Sequence, residues 1–134
     1  RMNFLKNYSD NIGMSEHSNP SINSLKISIS SLMYNPKYIE RHFTILDPSK
    51  TKDGPVSLNP KQLKELVDIS KLGKKDLFNY IKDNIKEFDQ LKGNADRKLS
   101  NLELLNRDYY RGRFASLSKD GKYIYNWQDT EIDN

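Results

Sequence analysis

The sequence predicts a mainly α fold of paired helix–loop–helix units closed by a C-terminal β-hairpin. Three observations carry that prediction. Between Lys74 and Arg111, Leu77, Ile81, Ile85, Phe88 and Leu91 recur at helical spacing, then a polar loop leads into a second amphipathic run. Asn35-Pro36 and Asn59-Pro60 each place an N-cap residue before a proline suited to the first helical position. Asp120-Gly121 lies between two aromatic-rich runs, which is a hairpin signal.

Composition bounds the function classes. The chain has 134 residues, enough for one domain or one with appendages. It is 35% apolar and 30% charged, so its core must be economical. No run of about 18 apolar residues occurs, so no membrane-spanning helix is expected. Arg1 to Lys6 is not followed by an apolar stretch, so no signal peptide is expected there. An arginine before Met2 reads as a cut from a longer chain. The absence of cysteine excludes disulfides, zinc–thiolate sites and cysteine nucleophiles. A net charge of +4, with lysines interleaved among acids, permits nucleic-acid or acidic partners without arguing for them. The compartment stays open: a soluble protein, in the cytoplasm or secreted into another cell, fits equally.

Taken in order, residues 1–34 read as an N-terminal helical and linker segment. Asn3 to Ile12 suits a short helix ended by Gly13. Met14 to Asn23 is polar, holds Pro20 and His17, and reads as a linker. Ser21 to Tyr34 spaces Ile22, Leu25, Ile29 and Leu32 as a helix would, although LKISIS also alternates like a strand; helix is favoured. Residues 35–111 read as the helical pair. A helix from Asn35 carries Tyr38, Ile39, Phe43 and Leu46 until Asp47-Pro48 stops it. A polar loop with an Asp-Gly turn follows. The helix after Asn59-Pro60 carries Leu63, Leu66 and Val67. Ser100, with Glu103 three residues on, is a capping box opening the last helix, whose apolar face continues through Leu102, Leu105 and Tyr109. Residues 112–134 are the hairpin and an acidic tail, with Tyr123, Tyr125 and Trp127 on one face.

The two helical pairs can be laid over each other. Phe43-Thr44-Ile45-Leu46, a polar loop and Val56-Ser57 parallel Phe88-Asp89-Gln90-Leu91, a polar loop and Leu99-Ser100. This pattern resembles a tandem EF-hand with degenerate loops, in which Val56 and Leu99 would meet in a short ribbon. A calcium loop needs oxygen ligands at positions 1, 3, 5, 7, 9 and 12, with glycine at 6. Over 92–103 the resemblance implies Asn94, Asp96, the Lys98 carbonyl, Ser100 and Glu103 as ligands. Lys92 at the first position and Arg97 in place of glycine oppose calcium. The loop after Asp47 is too long and puts Pro60 where a glutamate belongs. The same residues are explained without an ion, as a capping box and turn formers.

Other chemistry is sparse. His17 and His42, the only histidines, show no catalytic spacing, and no glycine-rich phosphate loop occurs. Tyr109, Tyr110, Arg111 and Arg113, together with Tyr123, Tyr125 and Trp127, have the composition of a protein-interaction hot spot. Arginines at a helix end are also favoured by its dipole. The resulting expectation is a non-catalytic interaction module, part of a larger protein, without cofactor, whose EF-hand-like groove takes an amphipathic helix from a protein partner. Two alternatives stand beside it. One is a calcium-binding regulatory domain acting through 92–103. The other is a small basic enzyme or toxin acting on nucleic acid through Arg107, Tyr109, Tyr110, Arg111 and Arg113.

Overall fold

The computed structural model describes residues 1–23, 25–94, 97–110, 115–117, 121 and 123–125. The chain divides into two units, Arg1–Ala95 and Asp96–Asn134.

The first unit is organised around a strand–helix–strand motif. A short helix α1 (Met2–Leu5) leads to β1 (Gly13–Ser15), then α2 (Pro20–Asn23) and α3 (Lys26–Leu32), and the chain returns as β2 (Tyr38–Glu40). β1 and β2 pair in parallel, with Gly13 opposite Tyr38, Met14 opposite Ile39 and Ser15 opposite Glu40. Parallel neighbours need a crossover of about a dozen residues or more, and α2 with α3 supplies it.

This corrects three readings of the N-terminal half. The helix expected from Asn35 does not form, because Asn35 lies in the turn that follows α3 rather than at the start of another helix. Its φ is 50°, the left-handed geometry of a helix stop, and its amide donates to the Leu32 carbonyl at 3.0 Å. Pro36 then follows a helix end, another common place for proline. The segment expected to be a linker holds most of β1 and all of α2. The helix expected over Asn3 to Ile12 ends at Leu5, and Gly13 begins a strand instead of stopping a helix. Ile12 is buried, and its carbonyl accepts the Lys37 amide at 2.8 Å, extending the parallel ladder by one bond. The helix favoured for Ser21 to Tyr34 appears as α2 and α3, with Leu25 and Ile29 buried.

Beyond β2 the chain bridges in parallel to a later segment, Phe43 against Leu58. The Leu58 amide donates to the His42 carbonyl at 2.8 Å, and the Thr44 amide to the Leu58 carbonyl at 3.0 Å. The residues between them fold into two 3-10 turns, Pro48–Lys50 and Gly54–Val56.

Three helices complete the unit. Helix α4 (Pro60–Ser70) starts at Asn59 with a full capping box: the Asn59 side chain accepts the Gln62 amide, and the Gln62 side chain accepts the Asn59 amide. Helix α5 (Lys74–Asn84) and α6 (Phe88–Leu91) occupy the stretch read as one continuous helix. The break falls at Ile85, whose φ of −124° and ψ of 82° leave the helical region. Its side chain nevertheless stays in the core. Glu87, just past the break, forms an ion pair with Lys26 of α3. The core gathers Leu25 just before α3 and Ile29 within it, Leu58 of the bridging segment, Leu66 and Ile69 of α4, and Leu77, Ile81 and Ile85 along the stripe that begins in α5. Phe88 and Leu91 pack against it.

In the second unit α7 (Asn101–Tyr110) begins after Ser100. The Ser100 amide donates to Glu103 Oε2 at 2.8 Å, and the Glu103 amide to Ser100 Oγ at 3.3 Å, so the capping box read from the sequence is present. Strands β3 (Ala115–Leu117) and β4 (Tyr123–Tyr125) pair antiparallel, with Ala115 opposite Tyr125 and Leu117 opposite Tyr123. Gly121 between them has φ of 80°, the conformation that the Asp-Gly signal anticipates. Among the described residues, no helix is long and apolar enough to cross a membrane.

Candidate functional site

The site grows from the register of β1 and β2. One step past the paired residues, Glu16 stands opposite Arg41; one further, His17 stands opposite His42. The backbone supports the extension, since the Glu16 amide donates to the Glu40 carbonyl at 3.2 Å. These residues follow the carboxyl ends of two parallel strands, the end at which α/β proteins build their sites.

Successive strand residues point to opposite faces, and here the alternation separates two pairs. Glu16 and Arg41 turn inward and form an ion pair, with side chains only 4% and 3% exposed. His17 and His42 turn toward solvent. Their rings meet edge to face, with centroids 4.9 Å apart and planes at 62°. The His42 side chain is 35% exposed, and its Nδ1 lies 4.0 Å from Asp53 Oδ2. Asp53 is placed by the 3-10 turn after it: its carbonyl accepts the Val56 amide at 3.2 Å and the Ser57 hydroxyl at 2.7 Å.

The Glu16 carboxylate of the inward pair is engaged through both oxygens, whereas Arg41 Nε is buried without a hydrogen-bond partner among the described residues. Glu16 Oε1 accepts the Ser18 amide at 2.7 Å, and Oε2 accepts the Ser28 hydroxyl of α3 at 3.0 Å. Arg41 Nη2 donates to the Ser18 carbonyl at 3.3 Å. Burial lowers the Arg41 pKa from its ordinary value, but a guanidinium stays charged in proteins. A buried charge of this kind persists only when paired and hydrogen-bonded.

A cleft of about 1140 Å³ lies on the other side of β2. Ile39 and Arg41 line it together with Leu66, Leu77 and Phe88, while His17 and His42 do not. The histidines therefore face a separate, open surface.

The residues singled out in the sequence lie elsewhere. Asn94 follows α6 and is exposed, and Lys92 ends α6 with its ammonium 2.5 Å from Asp89 and over the Phe88 ring. The Lys98 carbonyl accepts Arg97 Nη1 at 3.3 Å. Both carboxylate oxygens of Glu103 are gripped by the Arg97 guanidinium, and Ser100 adds its amide and hydroxyl. These donors hold the Glu103 carboxyl well below the usual carboxylate range, Arg97 contributing most. Tyr109 and Tyr110 stack edge to face at the end of α7, 4.9 Å apart. Tyr123 and Tyr125 lie in β4. Asp96, Arg111, Arg113 and Trp127 lie outside the described residues.

The histidine pair was not anticipated, because His17 reads as linker and His42 as part of a helix. One signal was present. Glu16-His17 and Arg41-His42 are both charged residue–histidine dipeptides, each closing a short run able to extend.

A parallel strand–helix–strand unit with polar side chains beyond its carboxyl ends is an arrangement on which α/β proteins build their sites. More specifically, the model of the NeuB family matches residues 2–80, more than half of the chain, and the chain belongs to the NeuB family. No curated protein and no solved structure matches it. The match overturns the EF-hand resemblance, and with it the non-catalytic EF-hand module and the calcium-binding reading. Residues 43–58, read there as the end of one helix, a loop and the lead into the next, are two 3-10 turns between the bridged residues Phe43 and Leu58, within the NeuB match. The local spacing misled because an aromatic, a polar loop and an aliphatic–serine pair occur equally in a strand-to-helix connection.

Proposed function

We propose that this chain contributes part of a sialic acid synthase-like enzyme of the (β/α)8-barrel type, and that His17 and His42 are its contribution to the active site. The family match supports the enzyme class. The observation that carries the site is the contact of the two imidazoles at the carboxyl ends of β1 and β2. In such barrels the catalytic groups come from the carboxyl ends of several strands. A complete barrel takes about 250 residues; the two strands here represent one βαβ share of it.

Among the described residues no group of three or more His, Asp or Glu gathers around one point, so a divalent cation here would rest on the two histidines, with water and substrate as its other ligands. Two imidazoles presented from neighbouring strand ends supply the nitrogen ligands of a catalytic ion, which keeps positions open for water and substrate. Asp53 Oδ2 stands 4.0 Å from His42 Nδ1, beside the imidazole but beyond hydrogen-bond distance. When bound, such an ion polarises a substrate oxygen. The protein's own share is to bring the two imidazoles together on an open surface.

The test is a calorimetric titration of chelator-stripped protein with Mn²⁺ and, separately, Co²⁺. Binding is expected, with loss on His17→Ala and on His42→Ala. Binding that survives both substitutions, or no binding by the parent chain, sinks the histidine site.

A further inference from the structure

We infer that Glu16 and Arg41 are positioning residues, forming a clasp that fixes where His17 stands relative to His42. The inference takes the histidine pair of the proposed function as the site being positioned. The contacts surround His17 on both sides. Glu16, before it, bends its carboxylate past His17 to accept the Ser18 amide, after it, at 2.7 Å. Arg41 closes the same ring from the other strand: one guanidinium nitrogen pairs with Glu16, and Nη2 reaches the Ser18 carbonyl at 3.3 Å. Arg41 is also the residue immediately before His42. One buried fork therefore grips both neighbours of His17 while belonging to the backbone that carries His42.

The clasp is anchored outside the strands as well. The Ser28 hydroxyl of α3, wholly buried, donates to Glu16 Oε2 at 3.0 Å. His42 is held from its far side by the Leu58 amide on its carbonyl. Each imidazole thus rides on a backbone fixed at two points, while the rings themselves stay open.

The fork geometry is what makes the residue type matter. Arginine donates along two parallel directions, whereas a lysine ammonium is a single point charge. Arg41→Lys keeps the charge beside Glu16 but cannot hold Glu16 and the Ser18 carbonyl together. Ser28→Ala removes the outer brace and leaves the ion pair intact.

Two readouts test this, one of them independent of any ion. The first is the nuclear Overhauser contact between the His17 and His42 ring protons, with the Gly13–Tyr38 backbone contact as a report on strand pairing. The second is Co²⁺ affinity. The clasp predicts that Arg41→Lys weakens the ring contact while the strand contact persists, and that Co²⁺ affinity falls about tenfold or more, the usual effect of losing an outer partner of a ligand. Ser28→Ala should do the same to a smaller degree. An unchanged ring contact in Arg41→Lys overturns the inference. So does loss of the ring and strand contacts together in both variants, which would make the clasp a determinant of folding alone. If the parent chain shows the ring contact but takes no Co²⁺, the metal reading fails while the positioning role stands or falls on the ring contact.

Discussion

A Cβ built on Gly54 would lie 1.8 Å from the carbonyl oxygen of Pro48. The two 3-10 turns of the connection after β2 close on each other at this point, and the Gly54 amide donates to the Thr51 carbonyl at 3.1 Å. The obstacle is backbone, so no rotamer change relieves it. The turn also places Asp53 beside His42. Gly54→Ala is expected to open the connection, to cost more than about 1 kcal/mol and to move Asp53 away from His42. Thermal unfolding and the His42 ring resonances measure the two effects. An unchanged melting temperature would mean that the turns relax freely and do not place Asp53.

Ile81 is 1% exposed at the centre of the core. Ile81→Ala removes three carbons from a site bounded by two helices and should cost about 2–5 kcal/mol. Ile22 is 77% exposed, and Ile22→Ala should change stability by no more than about 0.5 kcal/mol. Urea unfolding of the pair tests the assignment of the core; similar midpoints for both variants would contradict it.

Lys26 and Glu87 join α3 to the break between α5 and α6. The Lys26 ammonium lowers the Glu87 pKa below its ordinary value of 4.5. A carboxyl whose pKa is depressed by folding stabilises the fold above its unfolded pKa. That stabilisation is lost as pH falls from about 4.5 through the lower folded value. Lys26→Met should therefore reduce stability near neutral pH and flatten the acid limb of the stability curve. Both side chains are more than a third exposed, so added salt should shrink the difference. An acid limb identical in the variant would show that Glu87 titrates independently of Lys26.

Asn59 and Gln62 form the reciprocal cap of α4. Asn59→Ala leaves the Gln62 amide without its acceptor and should cost about 1 kcal/mol. Asn59→Asp restores an acceptor and should recover most of the loss. Equal melting temperatures for parent and Asn59→Ala would show that the first turn of α4 is held by packing alone.

Features that depend on neighbours in the chain were legible in the sequence. The cap at Asn59-Pro60, the α5 stripe of Leu77 and Ile81, the Ser100–Glu103 capping box and the glycine turn at Gly121 all appear where residue type and spacing put them. Each rests on hydrogen bonds or packing within about one helical turn or one tight turn. Asn35-Pro36 shows the limit of the same signal. Asparagine suits a helix start and a left-handed helix stop alike, and only the preceding helix α3 decides between them.

The site was decided by tertiary structure. Gly13–Ser15 and Tyr38–Glu40 are too short to show an alternating pattern, and each becomes a strand only because the other lies alongside. Local spacing cannot name a parallel partner on the far side of two helices. That pairing sets the register, and the register puts Glu16 against Arg41 inside and His17 against His42 outside. By itself the sequence determined the cap of α4, the capping box before α7 and which side of α5 is buried. Pairing across the crossover decided which of its few ionisable groups meet, because parallel strand hydrogen bonds join residues whose own neighbours carry no record of the partner.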